Sequence, residues 1–187
     1  MKTFKKLLIL PLVAMLFVGC DALGDLLTIT IKDVKMTKDV EVTVNTPAAA
    51  ASQKAPAVAS VPFTKTATVQ LNETEELLDY LDNIQEINLK SIICNIHGDN
   101  LVEGDVQSLS VTINPLGITK SIPNITLGQD EDVTFTNDEF NTIANSLLSS
   151  QQLEFVLNGT VSSTPITFIV SVTVEADFKV KVLNTDE

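Results

Sequence analysis

The sequence has no tryptophan, one tyrosine, one histidine and two cysteines in 187 residues. Each scarcity excludes something. With Tyr80 as the single Tyr and no Trp, the exposed aromatic faces that usually hold carbohydrate are scarce. Two cysteines, Cys20 and Cys94, are too few for a disulfide scaffold or a zinc finger, and their separation makes no redox Cys-x-x-Cys. Gly-rich phosphate loops and the Gly-x-Ser-x-Gly elbow are absent. Positive charge is scarce as well: 12 Lys and Arg stand against 24 Asp and Glu, a net charge of −12. Such a surface repels nucleic acid and anionic headgroups, which disfavours a DNA- or RNA-binding role, and no nucleic-acid partner is expected. Solubility is the plain reason for the acidity.

What is present begins at the amino terminus. Lys2, Lys5 and Lys6 are followed by an apolar run from Leu7 to Val18. That run is too short for a membrane span and of normal length for an export signal. Ordinary signal cleavage after Gly19 would need a small residue three positions back, where Phe17 stands. The stretch Leu16-Phe17-Val18-Gly19-Cys20 instead resembles a bacterial lipobox, with Phe17 in place of the usual Leu. The resemblance implies that Cys20 is acylated and becomes the mature amino terminus. Two acyl chains suffice for stable anchoring, where one binds only marginally. Loss of three lysines and no acid takes the mature charge from −12 to −15. Residues 1–19 are then a lipoprotein signal, 20–26 an anchor and spacer, and 27–187 one domain.

The domain reads as all-β. Leu27 to Ile31 and Val40 to Val44 alternate apolar with polar, and Lys35 to Asp39 between them suits a hairpin loop. Residues 46–62 carry Pro47, Pro56, Pro62 and four consecutive alanines, which predicts a long loop. Ala67, Val69 and Leu71 make a strand. Asn72 and Glu75 then have helix-capping spacing, with Leu77, Leu78, Leu81 and Ile84 on one helical face. From Ile87 to Ile96 a further strand changes phase at Ser91-Ile92, which predicts a bulge and puts Cys94 on the apolar side. Turns are expected at Gly98-Asp99-Asn100, Asn114 to Gly117 and Asn158-Gly159. Leu109 to Ile113 is a strand, and Ile118 to Leu127, broken by Pro123, is an edge strand.

Val133 and Phe135 alternate before Thr136-Asn137-Asp138-Glu139, a capping box, and a helical stripe of Phe140, Ile143, Ala144, Leu147 and Leu148. Leu153 to Leu157, Ile166 to Val174 and Phe178 to Val182 complete the strands. Strand, capped helix, strand, turn, strand thus occurs twice, with Asn72 matching Thr136. The expected fold is a two-layer β-sandwich with two short covering helices; a partly open β-barrel is the alternative.

Candidate chemistry is thin. Cys94 and His97 stand three apart on a strand and face opposite sides, so they do not form a dyad. The acidic stretches Asp99 to Asp105 and Gln129 to Asp132 lack the EF-hand pattern and read as solvated loops. Asn72, Asn124 and Asn158 begin Asn-x-Thr triplets, chance matches if the leader is bacterial. No catalytic residue, cofactor or metal is expected. The expectation is a lipid-anchored, non-catalytic protein of the cell envelope, in the outer membrane, held by acyl chains such as palmitate on Cys20. It would act through a protein partner in adhesion, surface assembly or scaffolding. A carrier of lipid or another hydrophobic ligand is the alternative, distinguished by a continuous apolar cavity.

Overall fold

A computed structural model describes residues 28–45, 60–122 and 125–182. Among the described residues, eight strands run in the order β1 (Thr28–Val44), β2 (Val61–Gln70), β3 (Ile84–His97), β4 (Val106–Asn114), β5 (Ile118–Ile122), β6 (Asp130–Asp132), β7 (Gln152–Val161) and β8 (Ile166–Lys181). A helix, α1 (Asn137–Ser150), links β6 to β7, and 3-10 turns at Leu71–Glu73 and Glu75–Asn83 link β2 to β3. The strands form two antiparallel sheets, ordered β1-β8-β3-β6 and β2-β7-β4-β5. The sheets are separate, so the fold is a β-sandwich and not a barrel. Their inner faces carry Val42, Ile92, Val111, Phe155, Leu157 and Phe168, all essentially without solvent contact. β-branched and aromatic residues every second position are what a half-buried pleated surface selects.

The strands are longer than the sequence suggests, because apparent breaks are bulges or small residues. β1 is one strand, and Lys35 to Asp39 is not a hairpin loop. Its apolar phase moves from Ile29 and Ile31 to Val34 and Met36 through a bulge at Lys32-Asp33, where Asp33 has φ 57°. β8 likewise runs unbroken through Glu175-Ala176-Asp177, since Ala176 keeps the inward phase. The expected bulge in β3 is present between Leu89 and Ser91. Asn158-Gly159 is not a turn but lies inside β7. Strand β2 takes the last two residues of the expected 46–62 loop, Val61 and Pro62; residues 46–59 lie outside the described part. The strand expected at Val133 and Phe135 falls earlier, at Asp130–Asp132, although the Val133 N–H still donates to the Ile92 carbonyl. β5 stops at Ile122, on the predicted edge.

The helical stretches differ from each other. Thr136 caps α1 as expected: its hydroxyl accepts from the Glu139 N–H, and the Glu139 carboxylate accepts from the Thr136 N–H at 2.8 Å. The first stretch is not a capped α-helix, and Asn72 caps nothing. Leu71, Thr74 and Leu77 are buried at a spacing of three, with Tyr80 half-buried next. That is the 3-10 period, and the Leu77 N–H donating to the Thr74 carbonyl is its hydrogen bond. At 3.0 residues per turn Leu78 rotates off the inner face and is 51% exposed. The carbonyl of Gln151, just past α1, accepts from the Leu71 N–H and ties the two stretches together.

The repeat noticed in the sequence is complete in the topology. Replacing each strand by the one four places on (β1 by β5, β2 by β6, β8 by β4) turns one sheet into the other with every pairing kept. Each half contributes two strands to each sheet, and each helical link crosses between sheets at the same point of its half.

All four edge strands carry a charge in their inward phase. Lys38 on β1 lies between Met36 and Val40, both packed on the core, and Lys65 on β2 pairs with buried Leu157. Lys120 on β5 pairs with buried Val111, and Glu131 on β6 with buried Cys94. Two of them find partners off the sheet: Lys38 reaches Glu73 at 3.2 Å and Lys120 reaches Glu139 at 2.8 Å. Inward charges on edge strands oppose pairing with a further strand, which would seal them in.

Candidate functional site

Cys20, the expected acylation site, lies outside the described residues, as do the leader, the 20–26 spacer and Leu27. Cys94 is 1% exposed and faces the core, while His97, at the end of the same strand, is exposed on the outer side. Burial alone pushes the Cys94 thiol up to about 12, so it stays protonated and unreactive at neutral pH. The pocket beside it, lined by Ile96, Leu109, Ile122 and Ile125, is too tight to admit a water molecule.

The acidic stretches do structural work. Asp105 accepts from the Ser163 hydroxyl at 2.9 Å and from the Val102 N–H at 3.0 Å, clamping the β3–β4 loop to the β7–β8 loop. Glu103 accepts from the Leu127 N–H at 3.1 Å. Asp130 and Asp132, expected in a loop, are paired in β6, and Asp130 accepts from the Asn95 amide at 2.9 Å. Among the described residues, no group of three or more His, Cys, Asp or Glu converges to hold a metal ion.

Two features of shape remain. At the end of the sandwich away from the helices, an open groove of about 510 Å³ runs past Glu41, His97, Asp99, Asn100 and Thr167. A second recess of about 370 Å³ shares Asn100 and Thr167 with it and continues to Thr43 and Ser163. Both are open to water and mix polar groups with apolar ones, Phe168 and Ile169 in the first and Pro165 and Ile166 in the second, so they are suited to surface contact and not to enclosing a hydrophobic molecule.

The other feature is the difference between the two outer faces. On the β1-β8-β3-β6 face, Lys35 approaches Glu175, and the Ser171 hydroxyl donates to Asp39 at 2.6 Å. Lys90 joins Asp33 and Asp177 there, with Asp177 at 2.7 Å. The Asp33 N–H also donates to Asp177, so this trio fastens the β1 bulge to β3 and β8. Lys90 holds the Asp177 carboxyl below its usual range, with the Asp33 N–H adding to the effect. The two acids raise the Lys90 ammonium in turn, the hydrogen bond to Asp177 first and that to Asp33 next, against an opposing desolvation.

The β2-β7-β4-β5 face is made almost wholly of hydroxyls and amides. Thr64, Thr66 and Thr68 line β2, opposite Asn158, Val156 and Glu154 of β7. Ser110, Thr112 and Asn114 continue these rows on β4, and Ser121 and Thr119 on β5. Neighbours bond across strands: Thr64 to Asn158 at 2.8 Å, Thr112 with Thr119 at 2.9 Å, Ser108 with Thr160 at 2.8 Å. Glu154 is the one carboxylate in these rows, and the Asn114 amide donates to it at 2.9 Å. Sequence reading by strand overlooked this face. Its signal was present in the polar phases of Thr64-to-Thr68 and Ser108-to-Asn114, but only the pairing register puts those segments side by side.

No protein-family model matches the chain, and no curated protein is similar to it.

Proposed function

We propose that the protein is a lipid-anchored, non-catalytic component of the bacterial cell envelope, in the outer membrane, that works through protein contacts. The observation that carries this reading is the junction Gly19-Cys20 behind a basic, apolar leader with Phe17 at the position ordinary cleavage needs small. The fold agrees with such a display. β1 starts at Thr28, eight residues after Cys20, a length that spans at most about 28 Å. Thr28 pairs with Lys181 at the helical end of the sandwich, and Val44 with Ile166 at the loop end. β8 at roughly 3.3 Å per residue separates those ends by about 50 Å. An anchor at Cys20 would therefore hold the helical end toward the bilayer and turn the open groove at His97 and Asn100 outward. The filled space beside Cys94 favours contact over carriage of a hydrophobic ligand.

The test is acylation. Cells fed radiolabelled fatty acid are expected to label the wild-type protein and not Cys20→Ala, with label in the outer-membrane fraction. Label persisting in the variant, or a mature protein starting elsewhere than Cys20, would replace this reading with an ordinary secreted protein.

A further inference from the structure

We propose that the nearly uncharged β2-β7-β4-β5 face is a self-association surface, and that its occupant is the same face of a second copy of the chain. Three observations lead there. The first is a broken equivalence. Topology makes the two sheets interchangeable, yet one outer face carries many charges of both signs and the other only the paired Glu154. In a chain of net charge −12, solubility alone gives no reason to keep one sheet face down to a single charge.

The second is self-complementarity. Two copies related by a two-fold axis bring identical patches together. Acidic patches repel in that arrangement, whereas hydroxyls and amides both donate and accept, and so match themselves. The centre of the face is the row Thr66, Val156, Thr112, whose methyl groups give an apolar middle inside a polar rim. Val156 is half-buried already, and its neighbour Thr66 is exposed.

The third is the exclusion of other routes. Inward charges at Lys38, Lys65, Lys120 and Glu131 block edge-to-edge growth of both sheets. Face-to-face contact remains. Four strands about 4.8 Å apart and roughly eight residues long give a face of about 500 Å², hence about 1,000 Å² buried in total. That is the lower end for specific association and fits a reversible dimer. The inference concerns the folded domain and holds whether or not Cys20 is acylated.

Sedimentation equilibrium of the full chain in density-matched detergent tests it. The wild type is expected to have the mass of two chains at high concentration and of one on dilution. Val156→Glu puts two like charges at the centre of the contact and is expected to give one chain throughout. Thr112→Glu, on the neighbouring strand, serves if circular dichroism shows Val156→Glu to be misfolded. Ile169→Glu adds the same charge to the other outer face and is expected to behave as wild type. A wild type that remains one chain up to its solubility limit overturns the proposal and leaves the face to a partner of different chemistry. A dimer that survives both face variants, or that Ile169→Glu disrupts equally, overturns it as well.

Discussion

Phe63 and Gly159 face each other across β2 and β7, and the phenyl ring occupies the space that a side chain at 159 would need. A Cβ built on Gly159 would lie 2.5 Å from the ring and 2.4 Å from the Ser108 carbonyl oxygen. Glycine in a central strand ordinarily weakens it. Here it admits both the ring and the bulged backbone of β4 between Val106 and Ser108. Phe63 then meets Phe168 edge-on, with centroids 5.4 Å apart, joining the two sheets.

Gly159→Ala is therefore expected to destabilise the fold by about 1–3 kcal/mol, the usual range for overpacking. Urea midpoints measure this. Phe63→Leu in the same chain is expected to recover only part of the loss, because the Ser108 carbonyl is backbone and stays where it is. An unchanged midpoint for Gly159→Ala would mean that β2 and β4 do not approach β7 this closely.

The two helical starts are expected to respond differently. Thr136→Ala removes a capping hydroxyl and should cost about 1 kcal/mol, while Asn72→Ala should be neutral. Glu139 adds a pH dependence. Lys120, and then the Thr136 N–H, hold its carboxyl below the ordinary value. A depressed carboxyl stabilises the fold above its unfolded pKa and ceases to as pH falls through the folded one. Acid unfolding of Glu139→Gln should accordingly be shallower below about pH 4 than that of wild type. Equal losses at Asn72 and Thr136 would restore a capped first helix.

Cys94 governs the alkaline side. The folded state holds the thiol proton up to about 12, while the unfolded chain releases it at the ordinary value. Its contribution is thus complete below the unfolded pKa and is lost as pH rises toward the folded one. Above the ordinary thiol pKa that loss approaches about 1.4 kcal/mol per pH unit. Cys94→Ala should have a flatter alkaline stability curve than wild type, and a thiol reagent should label unfolded but not native protein. Fast labelling of the native thiol would place Cys94 at the surface and contradict the β3 register.

The sequence alone determined the β class, the α1 capping box, the β3 bulge and the burial of Cys94. These depend on alternation and on contacts a few residues apart, and such signals are local. It also suggested the repeat, because each half sets a helical stretch between strands, although one proved a 3-10 path and the other a capped α-helix. Other features were decided only in the folded molecule. Lys35 to Asp39 resembles a loop until β8 pairs along it, and Asn158-Gly159 resembles a turn until Phe63 and Ser108 close over the glycine. Leu77-Leu78 fits an α-helical stripe, but the spacing between Leu71 and Ile84 is met by a 3-10 path that buries every third residue. The hydroxyl- and amide-rich face is furthest from local reading. It is assembled from β2, β4, β5 and β7, and β2 and β7 meet across some ninety residues of chain, as Thr64 and Asn158 do. Side-chain polarity is written in the sequence, but which polar rows become neighbours is set by strand register, and register is fixed by the packing of the opposite, buried face.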